Sequence, residues 1–99
     1  MKNTNRHNLT IDPMAKARKH SDFSKYSKEA RARILLAAEI YNARLEKGFS
    51  QQKLAEKINS TQKEISKIEN GQINVGLDTI FKIIQSLGLK FQVGKTFLL

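Results

Sequence analysis

The chain of 99 residues has no cysteine, no tryptophan and a single proline. Without cysteine it can form neither disulfides nor cysteine-ligated zinc sites. No stretch approaches the roughly 18 consecutive apolar residues of a transmembrane helix, and no apolar segment typical of a signal peptide follows the first residues. We therefore expect a soluble, cytoplasmic protein that makes no contact with a membrane.

The sequence also lacks a recognisable catalytic or metal-binding arrangement. His7 and His20 are its only histidines, and no carboxylate or thiol is spaced to complete a metal site with them. The patterns of phosphate-binding loops and nucleophile elbows are absent as well. We therefore predict that the protein is not an enzyme and that it uses neither a metal nor a cofactor.

Acidic residues are scarce: nine of them face 18 lysines and arginines, for a formal net charge of +9. The excess is greatest in residues 1–33, which contain nine of the basic residues and three of the acidic ones. A polyanionic partner is the simplest explanation for such a charge on a small protein. The composition therefore favours a protein that binds nucleic acid.

The middle of the chain contains two short helical segments joined by a tight turn. Ser50 is a good N-cap for the first helix, and Asn59 tolerates the left-handed conformation that a turn requires. Thr61 followed by Glu64 forms a capping-box pattern that starts the second helix, and Gly71 is a typical C-terminal cap. The apolar stripes are Leu54, Ala55 and Ile58, then Ile65 and Ile68. In a basic chain, this pattern indicates a helix-turn-helix whose second helix lies in the DNA major groove.

Further helices are predicted on both sides of this pair. One runs from Tyr26 or Ser27 to Lys47, and another covers residues 77–87, while Pro13 begins a short helix after ten disordered residues. The expected apolar faces are Ala30, Ile34, Ala37, Ala38, Tyr41 and Leu45 in the longer helix, and Leu77, Ile80, Phe81, Ile84 and Leu87 in the later one.

After these helices the hydrophobic period changes from that of a helix to that of a strand. Leu89, Phe91 and Val93 alternate with polar residues, which predicts a half-buried strand. A lone strand cannot satisfy its own backbone, and no partner strand is evident elsewhere in the chain. We therefore predict that these three residues form a dimerisation strand that pairs with its copy across a twofold axis. The apolar tail of residues 94–99 either extends that interface or docks a partner.

The central segment resembles the Cro/CI-type (XRE family) helix-turn-helix. The matching features are Ser50-Gln51 opening the first helix, Leu54-Ala55 within it, Ile65 and Ile68 in the second, and Glu69-Asn70-Gly71 closing it. With the flanking helices, the resemblance extends over residues 34–93. It implies an all-α bundle of four to five helices that binds double-stranded DNA, completed by the C-terminal β-strand that pairs across a homodimer.

This interpretation divides the chain into three parts. Residues 1–25 are a basic N-terminal extension that is largely disordered or forms a short helix. Residues 26–88 are the helix-turn-helix domain, and residues 89–99 are the dimerisation strand and tail.

A recognition helix enters the groove with its N-terminus first, so its early outward-facing residues are the predicted DNA contacts. They are Thr61, Gln62, Lys63, Ser66 and Lys67. Gln62 matches the position at which phage repressors of this family place a base-reading glutamine, and glutamine can pair bidentately with adenine. The two lysines would read guanine or meet phosphates, or they are ordinary solvated side chains.

The resemblance assigns further residues around the second helix. Gln51 matches a position that holds a phosphate at the start of the first helix, where free N–H groups and the helix dipole favour an anion. The backbone amides near Gln72 and Ile73 are implied as additional phosphate donors. Arg44 and Glu69 match a pair that forms a salt bridge in some relatives, which implies a structural role.

The resemblance also extends to a biological role. Residues 77–89 are similar to the last helix and strand of HipB-like antitoxins, whose dimers repress their own operon and hold a toxin kinase. The extension through Tyr26 is more similar to HigA-like antitoxins of type II toxin–antitoxin systems, whose partners are RelE-like ribonucleases. These similarities imply a bacterial antitoxin whose toxin is either a HipA-like kinase or a RelE/HigB-like ribonuclease.

Three alternatives remain open from the sequence. A prophage-type or stand-alone repressor would share the DNA mechanism but have no toxin. A small basic ribonuclease toxin would need a sheet carrying basic and acid–base residues, whereas this sequence is mostly helical. An RNA-binding accessory protein would prefer RNA to duplex DNA.

Overall fold

The computed structural model describes residues 23–99. A short 3-10 turn at Phe23–Lys25 precedes four α-helices and a two-stranded hairpin in this part of the chain. The helices are α1 (Lys28–Lys47), α2 (Gln51–Lys57), α3 (Gln62–Glu69) and α4 (Leu77–Ser86), and the strands are β1 (Gln92–Val93) and β2 (Thr96–Phe97). The predicted disordered residues 1–10 and the predicted helix from Pro13 lie outside the described residues.

The long first helix begins and ends where its capping residues, Ser27 and Gly48, predict. The Ser27 hydroxyl accepts a hydrogen bond of 3.1 Å from the amide of Ala30, which caps the N-terminus of α1. Gly48 ends the helix with a φ of 76°, a left-handed conformation that glycine adopts without steric cost. The predicted helix to Lys47 is therefore confirmed.

The core lies where the four helices meet. The largest of its fully buried aliphatic side chains are Ile40, Leu54, Ile65, Ile68 and Ile83. The apolar faces predicted from the sequence were incomplete, because they omitted Ile40 in α1 and Ile83 in α4. Leu77 was wrongly placed on the buried face: its side chain is 57% exposed, since it is the first residue of α4 and precedes the turns that contact the core.

The C-terminal segment corrects another prediction. The expectation that β1 has no partner strand within the chain is wrong, because β1 pairs with β2 in an antiparallel register that places Val93 opposite Thr96. Gly94, with a φ of 60°, begins the two-residue loop, at the position where a type II′ turn favours glycine. The ring of Phe91 lies edge-on to that of Phe81, 5.6 Å between centroids, which places the hairpin next to α4.

Residues 23–99 contain neither a membrane-spanning helix nor a cluster of metal-ligating side chains. No helix in this range is both long and apolar enough to span a bilayer. The same range contains no group of three or more histidine, cysteine and acidic side chains that could hold a metal ion.

Candidate nucleic-acid interface

The junction of α2 and α3 is built from local hydrogen bonds. Ser50 Oγ accepts from the amide of Lys53 at 2.9 Å, and Thr61 Oγ1 accepts from the amide of Glu64 at 3.1 Å. Between the two helices, Asn59 has a φ of 57°, the left-handed conformation that asparagine tolerates better than most residues. Both predicted helix starts and the predicted turn are therefore confirmed.

Helix α3 has one buried and one exposed side. Ile65 and Ile68 are fully buried against the other helices. The opposite side of the helix and its N-cap together carry the five residues that the sequence predicted as DNA contacts, and we call this surface the recognition face. It consists of Thr61, Gln62, Lys63, Ser66 and Lys67, of which Ser66 is half-buried and the others are exposed. The fold therefore brings the predicted residues together on one accessible surface with two cations.

A buried ion pair lies beneath this surface. Arg44 Nε donates to Glu69 Oε2 at 2.6 Å, and a second guanidinium nitrogen donates to Glu69 Oε1 at 3.0 Å. The third guanidinium nitrogen donates to the carbonyl oxygen of Phe49 at 2.7 Å. The pair joins the end of α3 to α1, and both side chains are buried with their charges satisfied. The salt bridge that the resemblance implied is thus present.

Two glutamines connect this ion pair to the recognition face. Gln51 Nε2 donates to Glu69 Oε1 at 3.1 Å, and Gln51 Oε1 accepts from Gln62 Nε2 at 2.5 Å. Gln62 therefore has a defined orientation although it is exposed. Within residues 23–99 its carbonyl oxygen and its second amide hydrogen have no other partner, and these are the two groups that pair with adenine.

The predicted phosphate contacts require one correction. The amide of Gln72 donates to the carbonyl of Lys67 at 2.9 Å, and the amide of Gly71 donates to that of Ile68 at 3.0 Å, as in a Schellman cap. The Gln72 amide is therefore occupied, because it closes α3, and only its exposed side chain remains for DNA. The Ile73 amide makes no hydrogen bond within residues 23–99, and its contact with a phosphate stays a prediction.

The structure also adds a contact that sequence reasoning missed. Gln51 was predicted to hold a phosphate, but its carboxamide lies between Glu69 and Gln62 instead of standing alone at the start of α2. No periodicity in the sequence signals a contact between side chains so far apart in the chain. A phosphate contact by Gln51 stays a prediction.

A tight pair of capped helices, the second of which exposes two lysines, is the arrangement of a helix-turn-helix DNA-binding protein. Comparison with known families agrees, since the family model described as helix-turn-helix matches residues 40–93. The chain belongs to this family, and the Cro/CI-type resemblance is confirmed. Family membership makes the protein a sequence-specific DNA-binding transcription regulator, a class whose members are generally not enzymes.

Solved structures give similar folds. The restriction-modification controller protein C.AhdI from Aeromonas hydrophila is 25% identical with a TM-score of 0.58, and the match covers 64% of this chain and 91% of that one. A hypothetical transcription factor, NHTF from Neisseria, is 29% identical with a TM-score of 0.57, covering 66% of this chain and 75% of that one. A search of curated proteins gives no significant match.

Proposed function

We propose that this protein is an antitoxin that binds the operator of its own operon as a homodimer, represses it, and neutralises a toxin encoded beside it. The recognition face is the surface that reads DNA, and residues 89–93 contribute the dimer contact. Such a protein works in the bacterial cytoplasm, bound to the nucleoid when its operator is occupied.

The observation that carries the DNA-binding part is the orientation of Gln62. A base-reading side chain is most effective when its conformation is fixed before binding, because less conformational entropy is then lost in the complex. The chain of hydrogen bonds from Arg44 through Glu69 and Gln51 supplies this order. Lys63 and Lys67, on the same face, add favourable charge for phosphates or guanine.

The DNA-binding part is tested with the promoter of the protein's own operon. A footprint with inverted repeats, and half-site centres about 34 Å apart, is the result expected of a twofold dimer. Retention of no promoter fragment at low ionic strength would contradict the proposal. Competition between duplex DNA and RNA in the same assay separates it from an RNA-binding accessory role.

The antitoxin part rests on the similarity of residues 77–89 to HipB-like antitoxins and on the exposed apolar side chains of the hairpin. Phe97 and Leu98 are 59% and 46% exposed, which is typical of a surface that contacts another protein. The test is co-expression with the product of the neighbouring gene. We expect the pair to purify together and growth arrest by the neighbour alone to be relieved by this protein. A neighbour that is neither toxic nor bound would exclude the antitoxin role.

A stand-alone transcription regulator is the second candidate. The structural similarity to a restriction-modification controller protein favours it, because the name of that protein describes a controller and mentions no toxin. Both candidates predict the same footprint, so only the co-expression experiment separates them. The ribonuclease alternative has less support, since the sheet in residues 23–99 consists of two strands of two residues each.

A further inference from the structure

A groove of about 300 Å³ lies between the C-terminal end of α2 and the second half of α4. The proposed DNA-binding mechanism does not involve this groove. Its lining residues are Lys57, Ile58, Asn59, Lys82, Gln85 and Ser86. Two ammonium groups, two carboxamides and one hydroxyl thus border a single depression, which we call the basic groove.

The charge of the basic groove is not balanced by the fold. None of its lining residues is acidic, and neither Lys57 nor Lys82 forms an ion pair with any residue between 23 and 99. The Lys57 ammonium lies 4.9 Å from the centroid of the Phe49 ring, a contact that restrains the side chain and leaves its hydrogens without an acceptor among residues 23–99. The groove therefore presents two cations whose favourable partner would be an anion.

The basic groove and the contact between Gln51 and Gln62 lie at opposite ends of α2. Helix α2 begins at Gln51, which is hydrogen-bonded to Gln62, and ends at Lys57 beside the groove. Seven residues of helix span about 10 Å, so Lys57 lies about 10 Å along the axis of α2 from the end at which Gln51 contacts Gln62.

We propose that the basic groove binds an acidic segment of a partner protein, with glutamate or aspartate carboxylates meeting Lys57 and Lys82. The neutral donors of Gln85, Ser86 and Asn59 provide hydrogen bonds to the same carboxylates or to the backbone of the segment. Charge complementarity, together with the position at the end of α2 opposite the Gln51–Gln62 contact, favours a protein segment over a second stretch of nucleic acid. The inference goes beyond the proposed function and holds for either candidate regulator.

The test uses fluorescein-labelled hexaglutamate as the probe and the full-length protein. Binding is followed by fluorescence anisotropy for the wild type, for the double variant K57Q/K82Q, and for the control K28Q/K95Q. The control removes the same charge from two exposed lysines elsewhere. We expect the groove variant to bind the peptide at least about tenfold more weakly and the control to change by less than about twofold, because only Lys57 and Lys82 line the groove. Circular dichroism verifies that all three proteins are folded.

Two further readouts locate the binding and separate it from DNA binding. In the ¹⁵N-labelled protein, hexaglutamate should shift the amide signals of Ile58, Asn59 and Gln85 more than those of α3. The affinity for a short DNA duplex should fall equally in the groove variant and the control. Equal loss of peptide binding in both variants, or shifts confined to α3, would overturn the proposal. A loss of DNA affinity confined to the groove variant would overturn it too, by identifying the groove as a phosphate site.

Discussion

At the residue scale, the proposed base-reading residue, Gln62, is the exposed end of a polar network. Gln62 is fixed by Gln51 and keeps one donor and one acceptor pointing outward. A free glutamine on a helix surface would sample several rotamers, and ordering it would cost about 1.5–2 kcal/mol of side-chain entropy. The network reduces this entropic cost of binding, because it orders the Gln62 side chain in the protein without DNA.

The first prediction concerns this glutamine. Gln62→Ala should weaken operator binding by about 1–3 kcal/mol and relax the preference at one base pair, because the bidentate contact is lost. Titration of operator variants by gel shift or anisotropy measures both effects. Gln52→Ala is the matched control, since Gln52 is exposed on α2 and bonds only to Glu56 within residues 23–99. An unchanged affinity and base preference in Gln62→Ala would remove this residue from the interface.

The second prediction concerns the buried end of the network. Glu69→Ala should destabilise the fold by about 3–5 kcal/mol, because it leaves the Arg44 guanidinium buried without its counter-charge. Urea denaturation measures the loss as a lower midpoint at an unchanged slope. Glu39→Ala removes an exposed carboxylate from α1 and should change stability by less than about 0.5 kcal/mol. Similar midpoints for the two variants would show that the pair contributes little.

At the element scale, the parts that the sequence predicts well are those determined by local chemistry. The starts of α2 and α3 follow from Ser50 and Thr61, whose hydroxyls bond to amides only three residues away. The contact of Gln51 with Gln62 could not be predicted in this way, because it depends on how two helices pack. Sequence similarity predicted which residues form the recognition face, whereas only the tertiary structure shows the hydrogen bonds that orient Gln62.

The hairpin was missed for a different reason. Gly94-Lys95 lies between two short β-forming segments and fits a type II′ turn, which favours glycine at its first central position. From the sequence alone, this tail is instead interpreted as an apolar extension. The hydrogen bond of 2.6 Å from the Leu98 amide to the Phe91 carbonyl continues the ladder beyond the two paired positions. A partner strand within the same chain satisfies the backbone that a lone strand would have left unpaired.

The third prediction tests this turn. Gly94→Val should weaken the hairpin by about 1–2 kcal/mol, because a φ of 60° forces the branched side chain against the backbone. Lys95→Val is the control, since Lys95 does not have a positive φ. Hydrogen exchange of the Leu98 amide should accelerate in the first variant alone, while the core amides of α3 stay protected. Equal exchange rates in the two variants would contradict the proposed turn geometry.

At the scale of the whole molecule, the net charge of +9 determines how the protein meets DNA. Phosphate contacts release counterions, so raising the salt concentration from about 50 to about 200 mM should weaken operator binding by orders of magnitude. As the fourth prediction, Lys67→Gln should reduce the slope of log K against log salt by about 1 if this lysine meets a phosphate. Lys28→Gln, on the exposed surface of α1, is the control and should leave the slope unchanged. Equal slopes in the wild type and Lys67→Gln would exclude the phosphate contact.

The last prediction concerns the dimer. Leu89 and Phe91 are partly buried against their own chain, whereas Val93 is 60% exposed, so Val93 is the predicted dimerisation residue most accessible to a second copy. Val93→Asp should therefore produce a monomer in sedimentation experiments, because a carboxylate would be desolvated at an apolar contact. Gln92→Asp introduces the same carboxylate one residue earlier, on the opposite side of the strand, and should remain dimeric. If the variant is monomeric and occupies single half-sites weakly, the hairpin contributes to operator recognition. If Val93→Asp remains dimeric, the subunit contact lies elsewhere on the molecule.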